Sequence, residues 1–114
     1  MAFLSKAGGA AATALLLFAA SASWAATSDL EAGSKLARKY CRRCHAIGAT
    51  GASAHPAAPP FRQIAAKGHV DDLQEALAEG ITVGHPDMPE FALAADQVAE
   101  LLAYLKSLAP DQPQ

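Results

Sequence analysis

Cysteine is scarce: the 114 residues hold two, Cys41 and Cys44, too few for the disulfide framework that staples many small domains. Long basic runs are absent and the formal net charge is −2, which argues against a nucleic-acid partner. No segment alternates apolar and polar residues over a strand's length, so no sheet is expected. There is no internal repeat, and the length allows one domain. Methionine occurs twice, at Met1 and Met88. The one extended apolar run, Ala10 to Ala20, is shorter than the roughly 20 residues a membrane-spanning helix needs.

That run has the pattern of an export signal. Lys6 and the amino terminus precede it, Leu15-Leu16-Leu17-Phe18 lie inside it, and the small residues Ser23 and Ala25 follow at the spacing a signal peptidase requires. Residues 1–25 are therefore expected to be a signal peptide cut after Ala25, leaving a domain of residues 26–114. An earlier cut at Ala20-Ser21-Ala22 and an uncleaved membrane anchor are the alternatives. Cleavage takes away Trp24, the sole tryptophan, and leaves eight Lys and Arg against eleven Asp and Glu. So small a domain buries barely enough surface to offset chain entropy, and with no disulfide framework a bound cofactor is the expected staple.

Charge is unevenly divided. Between Ala32 and Val70 there are seven basic residues and no acid, whereas nine acids and Lys106 alone follow from Asp71 onward. Such a distribution suits steering toward a protein partner. The acids Asp71, Asp72, Glu75 and Glu79 are expected to be a solvated helix face.

Helices separated by proline-rich loops account for the mature region. Leu30, Gly33, Ala37 and Tyr40 recur at helical steps, predicting a helix capped at Thr27 or Ser28 that delivers the chain to Cys41. Its acids, Asp29 and Glu31, would lie in the first turn. Residues 46–60, with Gly48, Gly51, Pro56, Pro59 and Pro60, read as a loop. A short helix over about 60–67 would turn Phe61, Ile64 and Ala65 inward. Another, opened by Asp71-Asp72 and stopped by Gly80, would bury Leu73, Ala76 and Leu77. Gly84, Pro86 and Pro89 make the stretch around Met88 a loop. The last helix, about 95–108, carries Val98, Leu101, Leu102, Leu105 and Leu108 on one stripe. The fold class is all-α.

Cys41-Arg42-Arg43-Cys44-His45 has the form Cys-X-X-Cys-His, a signature of c-type haem attachment. Two thiols three positions apart can each form a thioether with a haem vinyl group, and the next residue, His45, then supplies an axial imidazole. A zinc site would need two further ligands at structural spacing, and His55, His69 and His85 are scattered. A redox dithiol would sit beside a βαβ sheet, which the sequence lacks. A plain disulfide and an unmodified buried pair are the remaining alternatives, the latter disfavoured after export to an oxidising compartment. The sixth iron position falls to Met88, in Gly84-His85-Pro86-Asp87-Met88-Pro89, with His85 as runner-up; His55 and His69 are expected to be exposed loop histidines. Methionine opposite histidine raises the reduction potential, and two protein ligands leave no open site for oxygen, peroxide or substrate, so outer-sphere electron transfer is expected in place of enzymatic catalysis.

With these residues in hand, the whole mature region resembles a small bacterial class I cytochrome c. The resemblance implies first and last helices that cross, with short helices and loops wrapped around one covalent haem c. It implies close approach at Gly33, eight residues before Cys41, against an aromatic in the last helix, for which Leu101-Leu102-Ala103-Tyr104-Leu105 supplies Tyr104. Ala37 departs from the aromatic often found four residues before the first cysteine. The family's proline carbonyl that accepts a hydrogen bond from the ligand histidine is assigned to Pro59, with Pro60 second. Tyr40, Arg62 and Lys67 are candidates to pair with the haem propionates, and spacing does not choose among them. The implied role is a monomeric periplasmic electron carrier, without stable membrane insertion after cleavage, working between redox proteins such as a periplasmic dehydrogenase or terminal oxidase. A dedicated subunit of such a dehydrogenase and a haem-based ligand binder are the alternatives.

Overall fold

The computed structural model describes residues 3, 8, 16–80 and 87–110, with side chains described at Trp24 and from Thr27 onward within the long first helix. The described residues form four α-helices: α1 (Leu16–Tyr40), α2 (Phe61–Ala66), α3 (Leu73–Glu79) and α4 (Ala95–Ser107). A 3-10 turn over Val70–Asp72 leads into α3, and no described residue is in a strand. The fold is all-α, as the sequence implies.

Helix α1 begins earlier than the pattern predicts. Thr27 and Ser28, expected as caps, lie inside it, and Asp29 and Glu31 fall mid-helix with no acid in the first turn. The reason is local: Ala and Leu are strong helix formers, and nothing between Leu16 and Leu30 interrupts them. Arg38 and Lys39 do occupy the last turn, where the helix dipole favours cations.

The core lies where α1 crosses α4. Gly33 is buried at this crossing: a Cβ there would overlap the Glu100 carbonyl oxygen and stand 2.7 Å from the Tyr104 Cβ. Ala37, one turn on, is 0% exposed, so the small side chain fills a site with no room to spare. From the predicted inner face of α1, Leu30 departs at 37% exposed, whereas Tyr40, 36% exposed, lies on it and lines an apolar cleft.

Val98, Leu101, Leu102 and Leu105 form the buried stripe of α4, and Leu108 packs against it half-buried. Burying each large aliphatic side chain stabilises the fold by about 1.5–3 kcal/mol. Phe61 and Ala65 of α2, Val70, and Leu77 of α3 close the same cluster, with Ile64 and Leu73 at its margin, and Ala76 of α3 is also buried. No polar or charged residue is buried among the described residues. Helix α3 ends at Gly80 in the left-handed region (φ 73°), the C-terminal stop expected of glycine. Helix α4 starts with the Gln97 carboxamide oxygen accepting from the Ala94 N–H at 3.1 Å.

Candidate functional site

The backbone of the Cys-X-X-Cys-His segment continues past α1 as a further turn. Cys41 N and Arg42 N donate to the Ala37 carbonyl at 2.9 and 3.0 Å, and Cys44 N and His45 N donate to that of Cys41 at 3.1 and 2.9 Å. Positions i, i+3 and i+4 of such a turn share a face. Cys41, Cys44 and His45 are therefore presented together, while Arg42 and Arg43 are exposed.

Beneath this turn lies a cleft with almost entirely apolar walls. Cys41 and His45 line one side, Met88 and Phe91 belong to the segment before α4, and Ile64, Leu77, Leu101 and Leu105 come from the three helices of the core. Burial pushes the Cys41 thiol up to about 11. A redox dithiol needs a lowered thiol pKa, so the microenvironment runs against that alternative. A second, more open cleft along α3 is lined by Asp71, Asp72, Gln74, Glu75, Ala78 and Glu79 and offers no wall to a hydrophobic macrocycle.

His45 is held in a single orientation. Its Nδ1 lies 2.7 Å from the Pro59 carbonyl oxygen. A carbonyl only accepts, so Nδ1 carries the proton and Nε2 keeps the lone pair that could bind a metal. The Phe61 ring packs against the imidazole with centroids 5.5 Å apart. Pro60 instead precedes α2 with extended backbone (φ −56°, ψ 144°) and its carbonyl accepts from Gln63 N.

The irregular loop 46–60 is tied down at several points. Ala46 N donates to Ser53 Oγ at 3.0 Å, Phe61 N to the Ala46 carbonyl at 2.9 Å, and Tyr104 Oη to the Ile47 carbonyl at 2.6 Å. Tyr104 therefore joins the helix crossing to the loop that follows His45, a link with no sequence signal. His55, expected to be an exposed loop histidine, is instead partly buried: its side chain is 32% exposed and its Nε2 lies 3.2 Å from Asp87 Oδ2. The sequence offers no periodicity from which a contact across 32 positions could be read. His69 is exposed, 3.6 Å from Asp72. His85, the runner-up ligand, lies outside the described residues. Among the propionate candidates, Arg62 is distinguished by a buried Nη1 with no hydrogen-bond partner in the described structure.

An apolar cleft between crossing helices, with a Cys-X-X-Cys-His turn at its rim, defines the class of c-type cytochromes. Comparison with known proteins agrees. Residues 28–105 match the family described as cytochrome c oxidase, cbb3-type, subunit III. The chain is 33% identical over 96 residues to cytochrome c-552 of Bradyrhizobium diazoefficiens, covering 84% of this chain and 90% of that protein. No solved structure matches. The chain belongs to this cytochrome c family: it is a monohaem class I cytochrome c whose cofactor is one covalently bound haem c with its iron.

The residues present fit that group. The walls are apolar, the Cys41 thiol and an imidazole with a free Nε2 stand at one side with Cys44 on the same turn, a thioether stands in the same cleft, and Arg62 holds an unpartnered guanidinium nitrogen suited to a carboxylate. Within this family the role is haem-based electron transfer.

Proposed function

We propose that the mature protein is a periplasmic carrier of single electrons, with Cys41 and Cys44 as the thioether attachment points and His45 and Met88 as the axial iron ligands. The observation that carries this reading is the cleft itself: Met88, the lone methionine of the mature region, lines the same apolar space as Cys41 and His45. When bound, haem supplies a one-electron iron couple. The chain's own residues do the rest. Pro59 holds the proton of His45 at Nδ1 and so aims Nε2 inward. Leu77, Leu101, Leu105 and Ile64 keep water from the cleft, and a thioether ligand favours the ferrous state relative to a second imidazole.

Export follows from the same reading. Among the described residues the first buried one is Gly33, and Trp24 is 81% exposed, so removal of residues 1–25 takes no described side chain from the core. No helix among the described residues is long and apolar enough to cross a membrane. The partners are redox proteins, a periplasmic dehydrogenase as donor and a terminal oxidase as acceptor. The family's description as part of a cbb3-type oxidase supports a terminal oxidase as acceptor by analogy.

Absorption spectra of the purified protein, oxidised and reduced, test the reading. A covalent haem c spectrum with a near-red sulfur-to-iron charge-transfer band in the oxidised form is expected, and Met88→Ala should abolish that band and open the ferrous iron to carbon monoxide. An unchanged band in Met88→Ala would remove Met88 from the iron.

A further inference from the structure

The loop that follows His45 and the segment that carries Met88 meet at one pair of side chains. His55 Nε2 lies 3.2 Å from Asp87 Oδ2, and Asp87 is the residue immediately before Met88. The imidazole is not free to swing. His55 N donates to the Cys44 carbonyl at 3.1 Å, its own carbonyl accepts from Ala58 N at 3.1 Å, and its Nδ1 accepts from Ala57 N–H at 3.0 Å. Because Nδ1 is an acceptor, the neutral ring carries its proton on Nε2 and donates it to Asp87. The link therefore needs no protonation of His55. Pro56, the next residue, further restricts the backbone of His55.

We infer that His55 is a positioning residue for Met88: anchored to the Cys44 carbonyl on one side of the cleft, it tethers through Asp87 the segment that delivers the thioether on the other. This rests on the reading of Met88 as an axial ligand. Removing the tether leaves the thioether's own chemistry intact but widens the excursions of its segment, so states with the thioether away from the iron become more populated. An external ligand that competes for the iron then binds more tightly, in proportion to that population. Hydrogen-bonded pairs exposed to this degree change such equilibria by roughly two- to fivefold.

The test is a titration of the oxidised holoprotein with imidazole, following loss of the near-red band. His55→Ala and Asp87→Ala are each expected to raise imidazole affinity about two- to fivefold. The double variant should match either single one, since both remove the same link. His55→Gln, whose amide N–H can still reach Asp87, should stay near the wild-type value; a general loosening of the loop would not be rescued in this way. Unchanged affinity in both single variants, or effects that multiply in the double variant, would overturn the inference. A wild-type oxidised protein without the near-red band would overturn the assignment of Met88 and this inference with it, whereas a normal band with insensitive variants would overturn the inference alone.

Discussion

Replacing Gly33 with alanine sets two effects of opposite sign against each other. Gly33 lies inside α1, where alanine is favoured over glycine by roughly 0.5–1 kcal/mol, so helix propensity alone predicts a more stable protein. Packing predicts the reverse. The added Cβ would overlap the Glu100 carbonyl oxygen and lie 2.7 Å from the Tyr104 Cβ. Both obstacles are rigid: one is backbone, the other the first atom of a side chain. The helices would have to separate, and overpacking of this kind costs about 1–3 kcal/mol before contacts of Ala37, Leu101 and Leu105 are loosened. Net destabilisation of about 1–3 kcal/mol is expected. For a domain of this size that is a fall in melting temperature of roughly 4–8 °C per kcal/mol. Denaturant unfolding of the oxidised holoprotein, followed by far-ultraviolet circular dichroism, measures it. Truncating Tyr104 to alanine in the same chain should recover none of the loss, because alanine keeps the Cβ and the Glu100 carbonyl remains. A Gly33→Ala variant as stable as the parent, or more so, would refute the close-crossing argument.

Tyr104→Phe removes the 2.6 Å bond to the Ile47 carbonyl and is expected to cost about 0.5–1.5 kcal/mol in the same unfolding assay. Leu101→Ala, at a position 2% exposed that also lines the cleft, should cost about 2–5 kcal/mol and depress the yield of haem-loaded protein. Lys106→Ala, by contrast, breaks an exposed 2.6 Å pair with Asp71 and should change stability by less than about 1 kcal/mol, with the difference shrinking as salt is added. The mass of the exported protein should correspond to a chain beginning at Ala26 plus one haem; a chain that retained Trp24 would place the cut elsewhere.

The parts of the fold that the sequence discloses are those set by local rules. Helix α4 is observed over Ala95–Ser107 against an expected 95–108, and α3 stops at Gly80, because a 3.6-residue apolar stripe and a glycine at positive φ are short-range signals. Crossing at Gly33 follows from resemblance alone, since its cause is a carbonyl and a Cβ 67 and 71 positions away. The start of α1 departs from the pattern because Thr27 and Ser28 have capping chemistry but are preceded by residues equally content in a helix. The period places Tyr40 on the inner face, where its ring lines the cleft and meets Phe91 edge-on, with centroids 6.0 Å apart. Periodicity reports which side of a helix is apolar. It does not report whether protein, cofactor or solvent covers that side.

That distinction explains how stability and function share residues in this chain. Leu77, Leu101, Leu105 and Phe61 are core residues by burial and cleft-lining residues by position. A domain of this size has no second apolar layer behind them, and no disulfide framework compensates. Haem held in the cleft would supply the remaining wall of the core, so the free energy of holding it would be largely free energy of folding. The same apolar side chains would keep water from the iron and so favour the less charged ferrous state. Substitutions that thin the wall from the α4 side should therefore lower thermal stability and reduction potential together. Those on the exposed acidic face of α3, at Glu75 or Glu79, should leave both nearly unchanged. Stability and potential that moved independently across such a series would separate the two roles assigned here to one set of side chains.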